Sequence, residues 1–208
     1  MGEFHSVNSC ILSKETLPLA TVEGEVFRKL IHMLIVVVPV IAAFDFKLVV
    51  LIIGITISIY TLTEFLRLLG FKVPLVSKLT LLAARSGETN HFIVGPITLA
   101  AGVLITLFLY PLPIAAIAIY VLAFGDSAAS LFGMTLGKIR LKNMQSKTFV
   151  GSGACFFIVL TLSLNVLNEI FASLLVATTA SILEAIPVAD LDNLIIPIVT
   201  GFVIFLFV

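Results

Sequence analysis

The sequence predicts an all-α, polytopic integral membrane protein with about seven transmembrane helices. Hydrophobic residues make up 60% of its 208 residues, and charged residues make up only 12%. The mean hydropathy is +1.23. A chain with so little polar surface cannot cover a soluble globule, whereas a bilayer accepts apolar helix surfaces. The formal net charge is zero, so no basic field favours nucleic acid as a partner.

The apolar runs define the expected elements in chain order. Residues 1–24 are weakly periodic and predict an N-terminal arm, and residues 25–208 predict a single transmembrane domain. The first two apolar runs, ending at Phe44 and Thr63, are each short for a span of about 20 residues, so two tilted helices or one hairpin would both fit. The stretch from Lys78 to Arg85 predicts a short helix in the membrane interface. The remaining runs predict spans at 92–110, 114–136, 149–167, 170–186 and 194–208.

The basic residues predict the orientation. With seven spans, every Lys and Arg except Lys47 falls on the side of the N-terminus. Basic residues in short loops favour the cytoplasmic side, so we expect a cytoplasmic N-terminus. We expect the cell membrane in a prokaryote and the endoplasmic reticulum in a eukaryote. The polar clusters come from distant parts of the sequence, yet this topology brings them all to the cytoplasmic face, as an active site requires.

An acidic residue, Asp126, interrupts the fourth span. A carboxylate near the bilayer centre costs about 2.5–3.5 kcal/mol on insertion scales, so it indicates function. Small residues recur at every fourth position around it and form a stripe where a backbone or ligand can approach: Gly125, Ala129, Gly133 and Gly137. We interpret this stretch as a phosphate and metal site. The alternative is a packing helix in which Asp126 pairs with a buried Lys or Arg.

Two neighbouring features support a phosphate site. Asp126 with Ser127 and Ser130 offers oxygen ligands for Mg²⁺, which proteins usually bind through one or two carboxylates plus substrate phosphates. The stretch from Lys147 to Gly153 opens the next span, where free N–H groups bind anions and glycines let phosphate approach. The GxxxxGK[ST] order of a Walker A loop is absent. An ordinary basic flank is the alternative for the second feature.

Four further features indicate function, and three of them also have a structural interpretation. Arg28 and Lys29 lie one turn from His32, which indicates a phosphate clamp with His32 as a base, or a flank for lipid head groups. Glu88 is a general base, a second metal ligand or a solvated loop acid. Glu184 has apolar neighbours in the sequence, which favours a functional role for its carboxylate. The acidic residues before the last span, among them Asp192, serve either the site or helix capping.

In four patches the sequence resembles the CTP-dependent lipid kinases, which comprise dolichol kinase, phytol kinase and the CTP-dependent diacylglycerol kinase. The resemblance covers roughly residues 25–208, and these kinases are related to phosphatidate cytidylyltransferase. The patches are Arg28-Lys29-x-x-His32, then Glu88 ahead of Gly95-Pro96, then the stretch from Gly125 through Lys138 to Ser152, and finally Glu184 with Asp192-Asn193-Leu194 and Pro197.

The resemblance implies transfer of the CTP γ-phosphate to a lipid alcohol, with a divalent metal, Mg²⁺, as cofactor. The alcohol stays open between a polyprenol, a phytol-like isoprenoid and diacylglycerol. The predicted catalytic residues are Asp126, Glu88, Lys147 and His32. The residues predicted to bind phosphate or cofactor are Arg28, Lys29, Gly125, Ser127, Ser130, Gly133, Gly137, Lys138, Thr148, Gly151 and Ser152. The predicted metal ligands are Asp126, Glu184 and Asp192.

Three alternatives to the kinase stay open at this point. The first is a cytidylyltransferase that makes CDP-lipid, although the His-Gly-Gly signature of those enzymes is absent here. The second is a transporter in which Asp126 and Glu184 relay protons. The third is a structural membrane protein, for which Asp126 would have no functional importance. The oligomeric state cannot be inferred from the sequence.

Overall fold

A computed structural model describes residues 19–71, 91–137, 147–187 and 189–208. These residues form helices and no strand, which confirms the all-α class for the described part of the chain. Two predicted site residues, Glu88 and Lys138, lie outside the described residues, as does the predicted interfacial helix from Lys78 to Arg85.

The helices follow the apolar runs closely. In chain order they are α1 (Leu19–Met33), a 3-10 turn (Leu34–Val36), α2 (Val37–Phe44), α3 (Phe46–Leu68), α4 (Gly95–Leu109), α5 (Leu112–Leu136), α6 (Phe149–Leu167), α7 (Ile170–Ala185), a second 3-10 turn (Ala189–Leu191) and α8 (Asp192–Phe205). The first helix begins at Leu19, inside the predicted arm. The division into an arm and one domain stays a prediction.

The first two apolar runs form two long helical rods that meet at a capped turn. Asp45 is extended, and its carboxylate accepts hydrogen bonds from the backbone N–H groups of Lys47 and Leu48, at 2.9 and 3.1 Å. A carboxylate at this position satisfies N–H groups that the first turn of a helix leaves free. The charge that interrupts the apolar run is therefore the N-cap of α3.

Four helical segments are long and apolar enough to cross a membrane: Glu23–Phe44, Phe46–Leu68, Leu112–Leu136 and Phe149–Leu167. Within the described residues, α4, α7 and α8 are apolar but shorter. These lengths indicate an integral membrane protein. The number of crossings and the side of the N-terminus stay predictions.

The fifth helix is the centre of the molecule, because it packs against α1, α2, α4, α6, α7 and α8. Its side chains Ile119 and Leu122 are fully buried, and its buried residues run from Ile114 to Ala129. The closest helix partner is α6, which carries Gly151 against α5. A Cβ atom on Gly151 would lie 2.6 Å from the Ala129 carbonyl oxygen, so the two helices meet backbone to backbone.

The fourth and eighth helices make a similar close approach. A Cβ atom on Gly102 of α4 would overlap the carbonyl oxygen of Asn193, in the first turn of α8. Because neither backbone can move without moving its helix, this contact fixes the position of the first turn of α8 relative to α4.

We expect Gly102→Ala to destabilise the protein by about 1–3 kcal/mol, because the added methyl group must push α4 away from α8. The matched control is Gly54→Ala in α3, where a Cβ atom would meet nothing within 4 Å and alanine favours the helix. Thermal unfolding of both variants in the same detergent measures the difference. Equal midpoints for the two variants would contradict the packing argument.

Candidate active site

The centre of the candidate site is an ion pair between two buried side chains. The Nζ atom of Lys29 in α1 donates to Oδ2 of Asp126 in α5, and both side chains are nearly excluded from solvent. The pairing partner proposed for Asp126 in the packing interpretation is therefore present. A buried ion pair is nevertheless weak evidence for stability, because desolvation of two charges offsets most of their attraction.

The imidazole of His32 lies against the same carboxylate. Its Nδ1 atom is 3.5 Å from Oδ2 of Asp126, and its Nε2 atom is 2.8 Å from Oδ1 of Asn193. The Asn193 amide nitrogen in turn donates to Oγ1 of Thr98 at 3.5 Å. In this amide orientation Nε2–H donates to Asn193, and Nδ1 carries the lone pair. Among the described residues, Nδ1 of His32 has no hydrogen-bond partner.

A second cluster surrounds Lys147, just before α6. Its Nζ atom donates to Oε1 of Glu184 at 2.8 Å and lies 3.7 Å from Oδ2 of Asp192. The other oxygen of Glu184 accepts from the Ser152 hydroxyl at 3.1 Å. Burial lowers the pKa of the Lys147 ammonium, but the adjacent Glu184 carboxylate outweighs it, so the pKa is raised above its ordinary value. Lys147 is therefore a cation at neutral pH.

The two clusters are joined through the first turn of α8. Asp192 faces Lys147, and the next residue, Asn193, holds His32. Asp126 also interacts electrostatically with Lys147. The structure thus brings Lys29, His32 and Asp126 together with Lys147, as the sequence predicts, although the roles of these residues are not tested by this proximity.

Several predicted phosphate-binding residues are engaged in structural contacts. Cβ atoms on Gly133 and Gly137 would meet the Thr148 side chain, and one on Gly125 would meet α6, so this stripe seats α6. The Thr148 hydroxyl accepts from Gly151 N–H at 3.0 Å and caps α6. These contacts account for the small residues by packing. They leave any role in phosphate binding a prediction.

The remaining hydroxyl and guanidinium groups near Asp126 either bind another side chain or have no described partner. Ser130 donates to Oε1 of Glu25 at 3.0 Å, and Arg28 pairs with the same oxygen at 2.5 Å. The Ser127 hydroxyl is buried and lacks a hydrogen-bond partner among the described residues. Ser127 is therefore the hydroxyl next to Asp126 that is not committed to another described group.

The predicted metal ligands do not form a ready-made metal site. Asp126 pairs with Lys29, whereas Glu184 and Asp192 both face Lys147. In the part of the chain that the structure describes, no group of three or more His, Cys, Asp or Glu residues could hold a metal ion. A set of isolated carboxylates fits a metal that arrives with phosphates, as Mg²⁺ usually does, better than a permanently bound ion.

A cavity of about 290 Å³ opens beside the ion pair. Its polar end is formed by Lys29, His32 and Asp126 with the acidic start of α8, and its walls are apolar side chains from the first helical rod, α3 and α4. The apolar walls include Leu34, Ile35, Val38, Ile53, Leu99 and Val103. A cavity with charges at one end and aliphatic walls elsewhere fits an amphiphile that places its polar group at Asp126.

One buried charge, Glu64 of α3, and the buried Thr98 are not among the residues predicted from the sequence, and Asn193 is predicted only as part of the patch before the last span. Glu64 is 1% exposed and lies in an apolar helix with Arg67 one turn later. The signal that could have identified it is an acidic residue directly after the apolar run that ends at Thr63, with Arg67 at the i, i+3 position of the same helix. Thr98 is ordinary in sequence, and only the tertiary contacts connect it through Asn193 to His32.

One curated relative supports a distant link to lipid kinases. The chain is 29% identical over 140 residues to a wheat (Triticum aestivum) protein named probable phytol kinase, chloroplastic, and the match covers 59% of this chain. It covers 47% of the relative, so the chain spans about half the length of the curated relative it matches. No family model matches the sequence. No solved structure matches it. At this level of similarity, the chain is related at most distantly to a protein named as a kinase.

Proposed function

We propose that this chain is a membrane-embedded kinase that transfers the γ-phosphate of CTP to a lipid alcohol. The observation that carries the proposal is the cavity, whose apolar walls lead to Lys29, His32 and Asp126. A lipid alcohol has this distribution of polarity, with one hydroxyl at the end of an apolar chain. The distant similarity to a protein named phytol kinase supports the same reaction class.

The lipid and the nucleotide approach Asp126 from different sides in this proposal. The lipid hydroxyl enters through the cavity, beside His32. The nucleotide phosphates lie towards Lys147, which stays cationic because Glu184 stabilises its ammonium form. Phosphoryl transfer depends mainly on positioning and on neutralising charge, and the lysines on both sides of Asp126 supply both.

The residues have distinct roles in the proposed reaction. The lipid oxygen attacks the γ-phosphorus, the bond from that phosphorus to the bridging β-oxygen breaks, and CDP leaves. The hydroxyl proton goes to Nδ1 of His32, whose tautomer is held by Asn193. Lys29 neutralises charge on the transferring phosphoryl group. Asp126 and Asp192 are the carboxylates that would hold Mg²⁺ with the nucleotide phosphates, and the ion would supply further charge neutralisation.

The proposal is tested with purified full-length protein in lipid nanodiscs. CTP or ATP, labelled at the γ-phosphate, is combined with phytol, a polyprenol or diacylglycerol, and Asp126→Asn is the blank. We expect labelled lipid phosphate and CDP from CTP with at least one alcohol. Release of pyrophosphate would indicate a cytidylyltransferase instead. Folded protein that transfers no phosphate in any combination would overturn the kinase proposal.

We expect Asp126→Asn to lower kcat by at least about 100-fold, because the variant loses the charge that gathers metal and phosphates. The variant also leaves Lys29 buried without a counter-ion, so a second variant, Lys29→Met with Asp126→Asn, removes both charges. Thermal unfolding separates the two effects. Recovery of the unfolding midpoint in the double variant without recovery of activity is expected, and activity in either variant would contradict the role of Asp126.

We expect His32→Gln to lower kcat by about 100-fold to 10,000-fold, the range of general acid–base catalysis. In the wild type, kcat falls as pH drops, because protonation of Nδ1 removes the lone pair that accepts the hydroxyl proton. This acidic limb disappears in the variant. A pH profile of kcat from both proteins is the measurement, and an unchanged acidic limb in His32→Gln would exclude His32 as the base.

We expect Lys147→Met to raise the KM for CTP by about tenfold or more, because a charge-assisted contact to phosphate contributes about 1.5–3 kcal/mol. The KM for the lipid alcohol stays unchanged. The matched control is Lys47→Met, since Lys47 is exposed in the first turn of α3. A rise in the KM for the lipid alcohol, with the KM for CTP unchanged, would mean that Lys147 lies on the lipid side of Asp126 and would contradict the proposed arrangement.

A further inference from the structure

The third helix carries a buried carboxylate that the proposed reaction does not use. Most apolar side chains of α3 are exposed, and its buried residues are Val49, Ile53 and Glu64. A buried carboxylate in a membrane helix is costly unless hydrogen bonds and an opposite charge compensate it. Glu64 therefore needs an explanation in terms of what it binds.

Glu64 binds both its own helix and a distant backbone segment. Its Oε1 atom accepts from Nη2 of Arg67 at 2.7 Å and from the backbone N–H of Ile93 at 2.9 Å. Its Oε2 atom accepts from Nε of Arg67 at 2.9 Å. Arg67 also donates to the His91 carbonyl oxygen at 2.7 Å. The carboxylate is therefore paired in two directions, along α3 and across to the segment before α4.

A third side chain on the same face of α3 completes this arrangement. The Tyr60 hydroxyl donates to the Ile93 carbonyl oxygen at 2.8 Å. Residues 60, 64 and 67 follow the i, i+4, i+7 spacing of one helix face. Both backbone groups of Ile93 are thus bound by α3, one by a carboxylate and one by a hydroxyl.

The bound segment cannot satisfy its backbone through regular structure. Residues 92–94 have no secondary structure and lead directly into α4. In a bilayer, irregular backbone is tolerated only where protein groups or a water-filled cavity satisfy its N–H and C=O groups. The side chains of Tyr60, Glu64 and Arg67 supply partners for both backbone groups of Ile93 and for the carbonyl oxygen of His91. We call these three residues the α3 clamp.

The clamp lies outside the cavity lining but holds a residue that belongs to it. Ile93, which the clamp binds, lines the cavity together with Gly95 and Pro96 at the start of α4, and so do Ile53 and Thr56 of α3. Beyond the clamp, α3 packs mainly against α2 and α4. The clamp and this packing together set how far the α3 part of the lining lies from the start of α4.

We propose that the α3 clamp positions the lipid-binding wall of the cavity, with Glu64 as its principal positioning residue. The lipid substrate in this inference rests on the proposed kinase function. The contacts between α3 and residues 91–93 do not depend on it. Weakening the clamp lets α3 move away from residues 91–96, so the cavity holds the apolar chain less well. None of the contacts described for the clamp reaches Asp126 or Lys147, so we expect the nucleotide side to keep its geometry.

The kinetic test uses two variants that disturb the same peptide unit in different ways. Glu64→Gln keeps the shape but removes the charge that pairs with Arg67, and Tyr60→Phe removes the hydroxyl that binds Ile93. The matched control is Glu169→Gln, since the exposed Glu169 also accepts from a backbone N–H, that of Ala172, but at the start of α7.

We expect Glu64→Gln to raise the KM for the lipid alcohol by about tenfold, as loss of a charge-assisted hydrogen bond would do. Tyr60→Phe raises it less, and Glu169→Gln leaves it unchanged. The KM for CTP and the value of kcat stay within about twofold in all three variants. Equal increases in both KM values, or a loss of kcat alone, would contradict a positioning role for the clamp.

A second readout does not depend on activity. Hydrogen–deuterium exchange, followed by mass spectrometry in nanodiscs, measures the opening of residues 91–95 in the wild type and the three variants. We expect faster exchange there in Glu64→Gln and Tyr60→Phe only. Unchanged exchange would overturn the clamp. If the wild type phosphorylates no lipid, the kinase proposal fails, whereas the exchange result still decides whether α3 holds this segment.

Discussion

The buried pair between Lys29 and Asp126 is the interaction on which the arrangement of this molecule depends. Each charge alone would be costly in an apolar environment, so α1 and α5 must pack together where Lys29 lies beside Asp126. The same constraint brings His32, one turn after Lys29, against the carboxylate. A single electrostatic requirement therefore places a base, an acid and a cation around one point, at the end of the cavity.

The first turn of α8 connects this point to the second cluster. Asp192 faces the lysine before α6, and Asn193 holds the imidazole. The position of that turn depends on Gly102, where the backbones of α4 and α8 meet without an intervening side chain. The packing of α4 against α8 thus positions Asn193, which selects the tautomer of His32 in α1. A small change in side-chain volume at Gly102 would therefore shift the site.

The apolar runs and interruptions of the sequence were sufficient to predict the helices, including the boundaries of α5 and α6 within about two residues. The partner of Asp126 was not predictable, because it lies 97 residues away and is chosen by tertiary packing. The small residues at every fourth position were interpreted as a phosphate site, with helix packing as the alternative. In the structure they seat α6, and a role in phosphate binding stays a prediction. A repeat of small residues indicates that another group approaches the helix closely. It does not distinguish a ligand from the backbone of a neighbouring helix. The role of Glu64 was not predicted because it binds the distant backbone N–H of Ile93 as well as Arg67, and a backbone partner has no sequence signature.

The short helices have a consequence for the surrounding bilayer. The eighth helix has 14 residues, which corresponds to about 21 Å, whereas the hydrocarbon core of a bilayer is about 30 Å thick. A bilayer that such a helix crosses must thin locally, or water must reach the helix ends. Because α8 begins at Asp192, either adjustment would bring the aqueous phase to the acidic residues at its start. The protein would then shorten the distance between a water-soluble reactant and one dissolved in lipid by deforming the membrane, rather than by lifting the lipid out of it.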